Sequence, residues 1–145
     1  MPKKLTDYDL PLSGTDLVSI VLLGAFQGRR ERREDWPSLQ FKEELDYDLM
    51  EILYKARKEI PLIAEHYFFN EQGAFPYSKE VADALWELAE DGVLTRIMGE
   101  SGRIVRPLIG RIARNSLERG KISQENYQKL LDLGQQLEIK RTVYI

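Results

Sequence analysis

The sequence holds few side chains that could carry out catalysis near neutral pH. His66 is the single histidine, and the absence of cysteine excludes thiol nucleophiles, disulfides and cysteine-bound metal sites. His66 falls in a short apolar segment, where we expect a half-buried, hydrogen-bonded side chain rather than a general base or a metal ligand. The sequence also has no Gly-x-Ser-x-Gly elbow and no phosphate loop ending in Gly-Lys-Ser or Gly-Lys-Thr. We therefore expect neither enzymatic activity nor a bound cofactor or metal.

Charged residues are the next candidates, because their distribution along the chain is uneven. The formal net charge is −3, yet residues 43–91 carry four basic against thirteen acidic groups, a net charge of −9. Residues 92–121 carry seven basic against two acidic groups, a net charge of +5. The acidic run at 43–48 is interpreted as the start of a helix, where negative charge is favourable, rather than as a metal site. Any contact with nucleic acid is therefore expected in the basic segment.

Five arginines of the basic segment are candidate phosphate contacts. They are Arg96, Arg103, Arg106, Arg111 and Arg114. On a hairpin and the helix after it, these side chains would form one patch that follows a nucleic-acid backbone. The same arginines could instead pair with the acidic helices of the protein itself, and both interpretations stay open. The arginine cluster at 29–33 is a weak nucleic-acid arm, because acidic residues interrupt it.

The first forty residues predict one helix between two less regular segments. Residues 1–12 are polar and are interpreted as an arm. Ser13 or Thr15 caps a helix that contains the apolar run 17–26. This run is far too short to cross a bilayer, and it predicts the central buried helix of the domain. Residues 27–40 are rich in charge and predict a surface connection.

The remaining residues predict further helices and a hairpin. The predicted elements are, in order, helices over 43–60, 62–69 and 79–91, extended runs over 93–98 and 103–106, helices over 108–119 and 123–139, and an edge strand over 141–145. Apolar residues at spacings of three and four indicate the helices. Ser78 and Ser123 are good helix caps, and Gly92 and Gly120 are typical of helix ends. The turn 99–102 joins the two extended runs.

The stretch from Ser78 to Leu94 combines a capped helix, an Asp-Gly stop and the entry to a strand. With the hairpin that follows, it resembles the third helix and wing of winged helix-turn-helix proteins, and the resemblance covers about 44–106. It implies one winged-helix-like domain over 13–145, mainly α with a small β-hairpin, with helices over 107–139 added after the core. In that fold the capped helix would enter the major groove of DNA. It carries Lys79 against five acidic residues, which makes it a poor groove reader.

A narrower resemblance begins in the link before the capped helix. Phe68-Phe69, Gly73 and Pro76-Tyr77-Ser78, leading into Val81, are similar to the signature of SocA-type antitoxin (Panacea) domains over about 68–92. That family joins glycine directly to Pro-Tyr-Ser, whereas Ala74-Phe75 is inserted in this sequence. The resemblance implies a regulatory protein that acts by binding another protein.

The link and the capped helix would then form the docking surface. Its candidate residues are Phe75, Tyr77, Glu80, Asp83 and Glu87. Most aromatic residues between Tyr67 and Trp86 are expected in the core, and Trp86 is placed on the buried stripe of the helix. If several of them prove exposed, they would instead serve as anchors for a protein partner.

We expect a non-enzymatic regulatory module that acts mainly through protein–protein binding in the cytoplasm. One alternative is a winged-helix transcriptional regulator that contacts DNA phosphates through the basic wing and the following helix. The other is a structural or dimerisation subunit, in which the last helix pairs with that of a second copy. We expect no membrane contact, because no apolar run approaches about 18 residues. We also expect no secretory signal, because no apolar segment follows the charged N-terminus.

Overall fold

The computed structural model describes residues 11–27, 38–41, 44–97, 101–137 and 139–140. The elements within these ranges are α1 (Gly14–Gly24), β1 (Ser38–Phe41), α2 (Leu45–Ala56), α3 (Pro61–His66), α4 (Lys79–Glu90), β2 (Leu94–Ile97), β3 (Ser101–Val105), α5 (Arg106–Glu118), α6 (Gln124–Gly134) and β4 (Ile139–Lys140). The prediction of a mainly α domain with a small β-hairpin is confirmed. No helix in the described ranges is long and apolar enough to cross a membrane.

Helix α1 is the centre of the core, as the apolar run predicts. Ser13, rather than Thr15, caps it: the Ser13 hydroxyl accepts from the Asp16 amide, and the Asp16 carboxylate accepts from the Ser13 amide. All the apolar side chains of α1 except that of Leu23 are fully buried, because α4, α5 and α6 pack around it. At the crossing of α1 and α6 the two backbones meet at Gly24 and Gly134.

The sheet contains a strand that the sequence analysis does not predict. Its four strands are antiparallel in the order β2-β3-β1-β4. Strand β1 lies between the hairpin and β4, with Leu39 opposite Ile104 and both side chains buried. The prediction that 27–40 is a surface connection is therefore wrong for residues 38–40. A four-residue strand has too few alternating positions to show its period in the sequence, and its partner strand lies more than sixty residues away.

The hairpin is present, with its strands shifted from the predicted bounds. Ser101 and Gly102, predicted in the turn, belong to β3, and Arg106 begins α5 instead of ending the strand. Gly102 faces the core, and an added Cβ would lie 2.9 Å from the Leu94 Cδ1 atom and 3.1 Å from the Leu45 Cδ2 atom. Glycine is typical of turns, but in this strand Gly102 lets the side chains of Leu94 and Leu45 pack against the backbone. The edge strand predicted over 141–145 lies outside the described residues.

The middle helices are present as the local sequence predicts, although some of their ends are shifted by a few residues. Helix α2 begins at Leu45 because Glu44 has a positive φ of 68°, and α3 ends at His66, three residues before the predicted end. The link to α4 is closed by an antiparallel bridge between Asn70 and Tyr77. Gly92 ends α4 with a φ of 75°, a conformation that favours glycine. The winged-helix resemblance stays a prediction.

The N-terminal segment is held to the body of the domain by His66. The Nε2 atom of His66 lies 2.9 Å from the Leu12 carbonyl oxygen, and its Nδ1 atom lies 2.9 Å from the Leu62 carbonyl oxygen. Leu12 is only 7% exposed and belongs to the core, so the packed domain extends to a residue predicted to lie in the polar arm. Residues 1–10 of that arm lie outside the described residues. His66 therefore connects two backbone segments, in agreement with the predicted hydrogen-bonded side chain.

Tyr67 leads us to predict a loss of stability at alkaline pH. Its ring is buried, its hydroxyl donates to the Gly14 carbonyl oxygen, and burial raises the pKa of Tyr67 well above the usual tyrosine value. The folded protein keeps a proton that the unfolded chain loses above about pH 10. The contribution to stability is therefore complete below that pH. The free energy of unfolding then falls by about 1.4 kcal/mol per pH unit until the folded pKa is reached.

Urea unfolding between about pH 9 and pH 11 measures this slope. The Tyr67→Phe variant keeps the ring and removes the ionisable hydroxyl, so its free energy of unfolding should fall less steeply with pH. Equal slopes in the two proteins would contradict the assignment to Tyr67.

Candidate functional site

Side-chain hydrogen bonds attach helix α4 to the segments around it. The Ser78 hydroxyl accepts from the Val81 amide and caps the helix. The Glu80 carboxylate accepts from the Phe68 amide at 2.6 Å, which attaches the link to the first turn. Further along, the Thr15 hydroxyl donates to the Glu87 carboxylate at 2.7 Å and joins α4 to the start of α1. Helix α4 is therefore held in a set orientation, with its outer side open to solvent.

Trp86 lies on the outer side of α4, and its predicted burial is wrong. The side chain is 66% exposed, whereas the neighbouring Leu85 is completely buried. At 100° per residue, Trp86 is about 140° from Val81, which lies on the buried stripe. The helical spacing therefore predicts an exposed Trp86, whereas the size and apolar character of tryptophan suggest a buried one. Asp83, Trp86 and Glu90, all exposed, form what is called the α4 face below.

The aromatic residues of the link divide between core and surface. Tyr67 and Phe69 are buried. The prediction that most of the six aromatic residues between Tyr67 and Trp86 lie in the core is wrong, because three of the six are exposed. Phe68 is 74% exposed and Tyr77 is 46% exposed. Phe75 is half-buried, with ring centroids 4.9 Å from Tyr47 and 6.4 Å from Tyr77. Phe68 and Tyr77 thus add exposed aromatic area near the beginning of α4.

The five residues predicted to form the docking surface have different surroundings. Glu80 and Glu87 accept the internal hydrogen bonds described above, so their carboxylates support the fold. Asp83 is exposed and makes no hydrogen bond or ion pair with the described residues. Tyr77 is exposed, and Phe75 packs between two other rings. The predicted docking residues do not include Phe68 and Trp86, whose side chains are the most exposed large apolar ones among the described residues.

The five candidate arginines do not come together in one patch. The Arg96 guanidinium forms a two-point ion pair with Asp46, with N···O distances of 2.6 and 3.2 Å. In the hairpin, Arg96 is opposite Gly102 and Arg103 is opposite Thr95. Because side chains alternate between the faces of a strand, Arg96 and Arg103 lie on opposite faces of the sheet. For Arg96, the alternative of pairing with the protein's own acidic helices is the observed one.

The three arginines of α5 also separate. Arg106 and Arg114 lie two turns apart and both line one cavity, whereas Arg111 does not. Arg111 and Arg114 are exposed, and Arg106 is half-buried. The Arg114 Nε atom donates to the Gly110 carbonyl oxygen at 3.2 Å. Two of the three candidate arginines of α5 therefore line a concave site instead of a flat surface.

Comparisons with protein-family models, with curated proteins and with solved structures each find no match. Within the described ranges, no group of three or more metal-ligating side chains is positioned to hold a metal ion. Two features therefore characterise the chemistry of the described surface. One is the α4 face with its neighbouring aromatic residues, and the other is the cavity beside α5.

Proposed function

We propose that this protein is a non-enzymatic regulatory module that binds another protein through the α4 face. One observation carries the proposal. The three exposed large hydrophobic side chains among the described residues, Phe68, Tyr77 and Trp86, all lie on α4 or on the link before it. Tryptophan and tyrosine supply a large share of the binding energy at protein interfaces, whereas isolated exposed apolar residues elsewhere carry little information.

The charges around Trp86 favour a partner with a basic surface. Asp83 and Glu90 flank it on the same side of α4, within residues 43–91, which carry a net charge of −9. An acidic face repels nucleic-acid phosphates, and it would also repel the same face of a second copy. Lys or Arg groups at the rim of the partner would speed association, and an apolar recess at its centre would receive the indole ring.

The outer side of α6 gives little support to the alternative of a dimerisation subunit. Tyr127, Leu130 and Leu131 face inward as predicted, and the last helix packs them against α1. Its exposed residues are polar, including Gln128, Lys129 and Asp132. A helix that has used its apolar side in the core has no hydrophobic surface left for a copy of itself.

The proposal includes a winged-helix relationship, with which a capped helix followed by a hairpin is compatible. The resemblance to SocA-type domains implies regulation through a protein partner. Fold by itself does not determine function, so the exposed residues of α4 carry the proposal.

Affinity capture with variants of α4 tests the proposal. The immobilised protein and its variants are exposed to a lysate of the source cells, and the retained proteins are compared quantitatively. We expect a basic protein whose retention falls by about thirtyfold or more in Trp86→Ala, as for a central interface tryptophan, and also falls in Asp83→Lys. Asp132→Lys makes the same charge change on α6 and should retain the partner, so it is the matched control.

Two outcomes would contradict the proposal. Equal retention by the parent protein and Trp86→Ala would exclude the α4 face as the binding surface. Salt-sensitive binding to random-sequence duplex DNA, lost when Arg103→Glu and Arg106→Glu are combined, would favour the DNA-binding alternative.

A further inference from the structure

A cavity of about 270 Å³ lies between the C-terminal end of α1 and the helices α5 and α6. Its apolar wall includes Leu23, Phe26 and Leu131. Its polar lining includes Arg106 and Arg114, both on α5. The volume is at the small end of the range for ligand sites, and the lining combines an apolar wall with a few polar groups, as in such sites.

The two guanidinium groups have no anionic partner among the described residues. Neither forms an ion pair with a described carboxylate, and the Nε atom of Arg106 is buried without a hydrogen-bond partner. The Arg106 guanidinium carbon lies 6.0 Å from the centroid of the Phe26 ring. Arg106 is half-buried beside this apolar wall, whereas Arg114 is exposed. An anion that reaches both groups would gain charge-assisted hydrogen bonds from them.

Tyr127 also lines the cavity. Burial raises the pKa of Tyr127, while Arg114 lowers it and Glu118 raises it. The hydroxyl therefore keeps its proton near neutral pH and can donate a hydrogen bond to an anion. Arginine guanidinium groups and a neutral phenol are all donors, and together they match the oxygen atoms of a carboxylate.

We propose that this cavity binds a small organic carboxylate with an apolar body, its carboxylate at Arg106 and Arg114 and its body against Leu23, Phe26 and Leu131. Such a ligand uses both parts of the lining. An inorganic anion would leave the apolar wall unused, and a neutral apolar ligand would leave both cations without a partner. The site is separate from the α4 face, so the two proposals can fail independently.

Gly110 gives a way to fill the cavity without changing a charge. It lines the cavity, and a Cβ added there would lie no closer than 3.8 Å to the Arg114 guanidinium and 3.9 Å to Leu23. A longer side chain at this helical position has room to extend into the cavity. Gly110→Leu therefore blocks the site, while Arg114→Gln removes one cation and leaves the space. Arg111→Gln makes the same change on α5 at a residue that does not line the cavity, so it is the matched control.

Benzoate is the test ligand, followed by amide chemical-shift changes in two-dimensional NMR spectra of the full chain. We expect shifts centred on residues around the cavity, with binding weakened at least about tenfold in Arg114→Gln, abolished in Gly110→Leu and unchanged in Arg111→Gln. Benzamide, which has the same ring without the charge, should bind more weakly by a similar factor. Inorganic phosphate should bind more weakly than benzoate, because it makes no contact with the apolar wall.

Several results would overturn this proposal. Benzoate that shifts no residue around the cavity would exclude the site, and unchanged binding to Gly110→Leu would place benzoate elsewhere. Phosphate binding as tight as benzoate binding would show that the apolar wall contributes nothing. The NMR spectrum of each variant reports whether it is folded, and the comparison of Arg114→Gln with Arg111→Gln decides the outcome if Gly110→Leu does not fold.

Discussion

Replacing Gly134 with alanine is expected to lower the free energy of unfolding by about 3 kcal/mol, at the upper end of the range for overpacked cores. A Cβ at this position would lie 1.8 Å from the Val21 carbonyl oxygen and 3.0 Å from the Gly24 Cα atom. These are backbone atoms of α1, which cannot rotate away as a side chain can. The methyl group therefore forces α6 away from α1, and the contacts at the centre of the core weaken.

The same result is expected from the other side of the crossing. A Cβ at Gly24 would lie 2.0 Å from the Leu131 carbonyl oxygen, so Gly24→Ala should destabilise the protein to a similar degree. Gly110→Ala is the matched control, because it adds the same methyl group to a helix where the nearest atoms are 3.8 Å away. That control should be neutral or more stable by up to about 1 kcal/mol, since alanine favours helices.

Urea unfolding of the three variants, followed by circular dichroism, measures these differences. A Gly134→Ala protein with the unfolding midpoint of the parent chain would show that α1 and α6 do not cross at this distance.

Alanine substitutions of two adjacent residues of α4 are expected to separate stability from partner binding. Leu85 is fully buried against the core, so Leu85→Ala should lower the free energy of unfolding by about 2–5 kcal/mol. Trp86 is exposed on the outer side of the helix. Trp86→Ala should change the free energy of unfolding by no more than about 0.5 kcal/mol, as for most surface substitutions, while it removes partner binding.

The contrast between Leu85→Ala and Trp86→Ala separates stability from recognition. Chemical unfolding gives the first quantity, and the capture experiment described above gives the second. A large loss of stability in Trp86→Ala would mean that the indole ring packs in the core, and the α4 face would then lose its central residue.

Much of the helical structure could be predicted from local sequence, because the signals act within a few residues. Ser78 and Ser123 cap the helices that follow them, and Gly92 and Gly120 adopt the positive φ that ends helices. Caps and left-handed stops depend on hydrogen bonds between near neighbours. For the same reason the order of the helices and the presence of a hairpin followed from the sequence.

The candidate surfaces were predictable only in part. The acidic character of α4 is a property of its composition, and the sequence places Asp83 on its polar side. The exposure of Trp86 depends on the helical angle, and the exposure of Phe68 depends on how the link turns before α4. Neither follows from residue type, because a large apolar side chain is usually buried.

Residue type and contacts within a few positions are enough to predict the helices, their caps and stops, and the division into an acidic and a basic segment. The other features depend on the tertiary structure. It pairs β1 with β3 across more than sixty residues, places Arg96 beside Asp46 and away from Arg103, and brings two arginines of α5 to the lining of one cavity. These relations join residues distant in sequence, and the packing that fixes them is a property of the whole folded chain.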